Sequence, residues 1–90
     1  MALFLLTHTD ESRSQAVLTR ASEKAVLARK VAPCSVALVS KTIVTPKDMY
    51  ETLAIQDGEF GSLVIVRFES YWGYHDADLW TWLQGHGENL

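Results

Sequence analysis

The chain holds a single cysteine, Cys34, so no internal disulfide framework can form and a cysteine-built zinc site lacks a second thiolate. No apolar run approaches the roughly 20 residues of a membrane-spanning helix, which leaves no expectation of a membrane partner. The opening residues 1–6 (MALFLL) are too short and too poor in flanking basic residues for a signal peptide. Basic residues are outnumbered: eight Lys and Arg stand against eleven Asp and Glu, and they are scattered. A duplex-binding surface needs clustered cations to neutralise phosphates, so the net charge of −3 gives nucleic acid only weak support as a partner. No G-x-S-x-G, phosphate-loop or dinucleotide fingerprint occurs, and no cofactor is implied. Repeats and low-complexity segments are absent. These absences point to one cytoplasmic globular domain, and 90 residues with 48% apolar content are enough for a single core.

Three short apolar runs then stand out: residues 2–6 (ALFLL), Ser35–Ser40 (SVALVS) and residues 62–68 (SLVIVRF). Their length, their content of Leu, Val and Ile, and their polar or Gly boundaries suit buried strands. None alternates cleanly. Leu3 and Leu5 would face one side and Phe4 and Leu6 the other, while Val36 and Leu38 oppose Ala37 and Val39. A sheet apolar on both faces must be covered on both. The helices of so short a chain cover one face, so something else is expected to cover the other.

Between the strands, Asp10 or Thr9 can cap a helix with Glu11 in its first turn. Val17, Leu18, Ala21 and Ala25 fall on one stripe, away from Arg13, Arg20, Glu23 and Lys24. Val26 and Leu27 break that stripe, so the helix is placed to end near Lys24, with a short strand over residues 25–31 and a turn at Pro33. Thr45-Pro46-Lys47-Asp48 is the clearest local signal: a Thr cap, Pro at the first helical position and an acid where a capping box places one. That helix is predicted to reach about Gln56, burying Met49 and Leu53 with Tyr50 and Ala54. After an aromatic loop over residues 71–75, Asp76 or Asp78 is expected to cap a last helix over residues 79–84 that ends at Gly85. The order strand, helix, strand, strand, helix, strand is that of a ferredoxin-like βαββαβ two-layer α+β sandwich with a C-terminal aromatic appendage. A single domain over residues 1–85 and a flexible tail over 86–90 follow. The last strand would lie at an edge, and so apolar an edge is expected to be paired or covered.

From Cys34 to Leu83 the chain resembles the SinR-like and VapD-like relatives of the small CRISPR adaptation endonuclease. The matching stretches are SVALVSK from Ser35 to Lys41, TPKDMYETL from Thr45 to Leu53, GSLVIVRF from Gly61 to Phe68, and the tail ending in Trp82-Leu83. The resemblance implies a ferredoxin-like protomer whose dimer packs open sheet faces together. It also implies, for nuclease-like members, an Asp at the end of the first strand around a divalent metal. Here that position falls at Thr9, with His8 before it and Asp10 after it.

Asp10 is therefore the runner-up catalytic residue for a metal-dependent endonuclease or ribonuclease, against its plainer role as a helix cap. No metal ligands are assigned: His8, His75 and His86 share no ligand spacing, and only His75 has nearby carboxylates, Asp76 and Asp78. Cys34 lacks a sequence partner that would mark a nucleophile. Tyr71, Trp72, Tyr74, Trp80 and Trp82 are the one unusual concentration, and without interleaved Lys or Arg they fit a protein interface better than a single-stranded nucleic acid. The expected interface comprises Val64, Val66, Phe68, Trp72 and Trp80. On the last helix Trp82 is expected to seal the core and Trp80 to face a partner or solvent. The leading expectation is a small homodimeric, non-enzymatic interaction or regulatory module, with the nuclease as alternative.

Overall fold

The three apolar runs and the short basic run before Pro33 form the four strands of one antiparallel sheet. The structure, a computed structural model, describes residues 2–73 and 77–86. Strand β1 spans Ala2–His8, helix α1 Ser14–Glu23, β2 Leu27–Ala32, β3 Ser35–Ser40, α2 Pro46–Thr52, β4 Leu63–Phe68 and α3 Ala77–His86. The sheet order is β2-β3-β1-β4, so β1 and β3 are central and β2 and β4 are the edges. Leu5 lies opposite Ala37 on one side and Val66 on the other. Each helix α1 and α2 links two strands that flank a third, which places the helices against one face. The result is a small α+β fold.

Strand alternation divides the apolar residues between two clusters. On the first face Phe4, Leu6, Val36 and Leu38 pack against Val17 and Ala21 of α1 and Met49 and Leu53 of α2, with Phe60 closing the end. Phe4, Leu6, Leu38 and Met49 are fully enclosed, each worth about 1.5–3 kcal/mol of transfer free energy. On the second face Leu3, Ala37 and Val39 pack against Leu79 and Leu83 of α3. The cover expected from a second copy thus comes in part from the chain itself.

Local chemistry explains the helix ends and corrects several boundaries. Asp10 accepts a hydrogen bond from the Ser12 N–H (3.2 Å) and opens a 3₁₀ turn over Glu11–Arg13 that leads into α1. Helix α1 stops at Lys24 because Ala25 adopts a positive φ of 59°, and the Val26 N–H then reaches back to the Ala21 carbonyl (2.9 Å). Ala25 is consequently exposed and does not belong to the buried stripe; Val26 is buried in its place. The Thr45 hydroxyl accepts from the Asp48 N–H at 3.2 Å, with Pro46 at the first helical position. Helix α2 ends at Thr52 rather than near Gln56, because Ala54 turns left-handed (φ 53°) and lies exposed. Helix α3 starts earlier and ends later than expected: Asp78 sits inside its first turn, and Gly85 lies within the helix. Tyr74, His75, Asp76 and residues 87–90 lie outside the described residues.

Arg20 locks α1 to the exit of α2. Its guanidinium donates to the carbonyls of Leu53 and Ala54, both at 3.0 Å, and to both carboxylate oxygens of Glu59, one at 3.3 Å. These carbonyls lie at the C-cap of α2 and one residue beyond it, where no further helical turn supplies donors. Phe60 lies under the guanidinium at 5.8 Å and is flanked by Arg13 at the same distance. The Gln56 N–H on Glu59, followed by the Arg20 hydrogen bond, holds the Glu59 carboxyl below the ordinary glutamate range.

Candidate functional site

Two places merit attention: the end of β1, where the resemblance puts catalytic carboxylates, and the second face of the sheet. At the first, alternation along β1 sends His8 to the same side as Phe4 and Leu6, and only 5% of its surface is exposed. Its Nδ1 accepts the Asp10 N–H at 3.3 Å, so a neutral ring carries its proton on Nε2, which faces Ser14 Oγ at 3.4 Å. Ser14 in turn donates to the Pro33 carbonyl. In this arrangement the imidazole cannot take the Ser14 proton, and the pair acts as a buried polar bridge joining β1, α1 and the β2–β3 turn. The Cys34 carbonyl extends the bridge by accepting from the His8 N–H at 2.9 Å.

Asp10 and Thr9 are both engaged locally. One Asp10 carboxylate oxygen accepts from the backbone and side chain of Ser12, and the Thr9 hydroxyl accepts from the Ser62 N–H at 2.9 Å. Gly61 makes that last contact possible: its φ is 80°, and a Cβ there would collide with Thr9 Oγ1. Among the described residues no three His, Cys, Asp or Glu side chains come together as a metal site. The His8–Ser14 bridge was not foreseen in the sequence, although its signal was present. His8 continues the Phe4, Leu6 alternation, and a polar residue on a buried face needs a partner.

The second face carries an apolar groove of about 540 Å³ between the sheet, α3 and the segment that follows β4. Leu5, Ala37, Val66 and Phe68 line it from the sheet, and Leu79 and Leu83 from the helix. None of its lining residues among the described ones is charged. Tyr71 stacks on Trp80 with ring centroids 5.9 Å apart and planes within 6°, while Phe68 meets Tyr71 edge-on at 6.1 Å. Beside the groove Val64 and Val66 are 56% and 45% exposed, and Trp72 at its rim is 99% exposed.

The expected interface residues therefore divide. Val64, Val66 and Trp72 lie open, whereas Phe68 and Trp80 are half-buried within their own chain. The contrast drawn between Trp80 and Trp82 needs correction, because both pack against the second cluster. Leu79 and Leu83 are the buried stripe of α3, and at 3.6 residues per turn the two indoles lie about 80° to either side of it. Compared with known proteins, the chain matches no family model, no curated protein and no solved structure.

Proposed function

We propose that this chain is a ferredoxin-like protomer that works in the cytoplasm as a homodimeric, non-enzymatic interaction module, joined through the β4 edge and the second sheet face. The sheet order β2-β3-β1-β4, with antiparallel neighbours, supports the fold reading. One observation carries the functional reading: an exposed, uncharged strip of Val64, Val66 and Trp72 borders an apolar groove along an edge strand. Such a strip on an edge is a pairing surface unless it is covered. The resemblance to the SinR-like and VapD-like proteins agrees with a dimer of this kind. The metal-dependent nuclease draws no support from Asp10, whose carboxylate caps the 3₁₀ turn.

Sedimentation at micromolar concentration tests the proposal. A species of twice the 10.1 kDa chain mass is expected. A monomer persisting to submillimolar concentration overturns it.

A further inference from the structure

We infer that the groove of each protomer receives Trp72 of a second copy, so that two indoles insert reciprocally across a two-fold axis. This rests on the dimeric reading above and specifies its interface. The first observation is the exposure of Trp72. At 99% open it is the most exposed large hydrophobic side chain among the described residues, and in a complex it would bury about 150–250 Å². The second is its neighbour. The groove's 540 Å³ falls within the roughly 300–1,000 Å³ of pockets that enclose ligands, and its lining is apolar and aromatic.

Both halves of the contact belong to one surface. Trp72 stands at the rim of its own groove, so a two-fold axis beside that rim presents each indole to the other's groove. Charge favours the same occupant. A chain of net charge −3 repels its own copies except where the contact carries no charge. On this face β1, β3 and β4 place Leu3, Leu5, Thr7, Ser35, Ala37, Val39, Val64, Val66 and Phe68, while β2, at the edge opposite β4, adds Leu27 and Arg29. Area agrees as well. Two inserted indoles bury roughly 300–500 Å² of their own surface, and the lining they cover and the adjoining Val64–Val66 strips add to this toward the about 1,200 Å² at the lower end of stable interfaces.

The test is sedimentation equilibrium on the wild-type chain, Trp72→Ala, Val66→Lys and an equimolar mixture of the two variants, with thermal unfolding confirming that each is folded. Both substitutions fall on exposed side chains, so folding should persist. Each variant alone has lost both insertions, and its dimer dissociation constant should rise at least about 30-fold, as for an interface hot spot. The mixture restores one insertion, Trp72 of the Val66→Lys copy into the open groove of the other, and should associate more tightly than either variant alone. A wild-type dimer whose affinity is unchanged in Trp72→Ala overturns the insertion while leaving the dimeric reading in place. A mixture no tighter than its components also overturns it. A wild-type monomer removes both readings and leaves the groove to another kind of partner.

Discussion

Replacing Arg20 by alanine removes a side chain that ties α1 to the exit of α2 through hydrogen bonds. Four acceptors lose a donor, the carbonyls of Leu53 and Ala54 and both oxygens of Glu59, of which Oε1 keeps the Gln56 N–H. The ion pair is partly enclosed, with the Arg20 and Glu59 side chains 24% and 17% exposed. Breaking a fully buried pair costs about 3–5 kcal/mol, and the residual exposure lets water re-solvate Glu59. About 2–3 kcal/mol is the expected loss, in line with several charge-assisted hydrogen bonds. For a domain of this size that lowers Tm by roughly 10–20 °C. Arg20→Lys keeps the charge without the planar fork and should recover less than half. Thermal and urea unfolding of Arg20→Ala, Glu59→Gln and the double variant isolate the coupling. The pH dependence has a fixed sign. Glu59 has a lowered pKa when folded, so its contribution is complete above the unfolded value and is lost as pH falls through the folded one. Wild-type stability should therefore drop below the ordinary glutamate value of 4.5 more steeply than that of Glu59→Gln. A change in Tm of only a degree or two in Arg20→Ala, or identical acid profiles, would refute the reasoning.

Gly61→Ala should destabilise by about 2–3 kcal/mol, because strain at φ 80° combines with loss of the Thr9–Ser62 contact. Gly58→Ala, at φ 79° with open space around it, carries the backbone strain alone; equal losses in urea unfolding would contradict the assigned collision. Asp10→Ala should cost about 1 kcal/mol through loss of the cap. Magnesium should leave the Tm of both wild type and variant unchanged, and a metal-induced rise that disappears in Asp10→Ala would restore the nuclease reading. Leu83→Ala should loosen α3 before the sheet, since Leu79 and Leu83 are its buried anchors. Hydrogen exchange should then accelerate in α3 and stay slow in β1 and β3, and uniform acceleration would show that α3 is part of one cooperative core.

Local chemistry was legible in residues that carry their own instruction. Thr45-Pro46 pairs a favoured helix cap with a favoured first position, Pro33 breaks the chain between two strands, and Ser35–Ser40 reads as a strand from its branched side chains. Two-sided alternation in β1 and β3 likewise announced two buried faces. The early exit of α2 was hidden, because Ala54 takes a left-handed conformation usually reserved for Gly or Asn. His8 was legible as a position on the inner face, yet its partner Ser14 is six residues away and its link to Pro33 needs the folded turn. Which element covers the second face was also beyond reach. Periodicity states that Leu79 and Leu83 share a stripe, while only the folded chain brings that stripe onto Leu3, Ala37 and Val39. The exposure of Trp72 beside an uncharged groove was decided in the same way, since segregation of apolar from polar residues is encoded locally and the choice of which apolar surfaces meet depends on long-range packing.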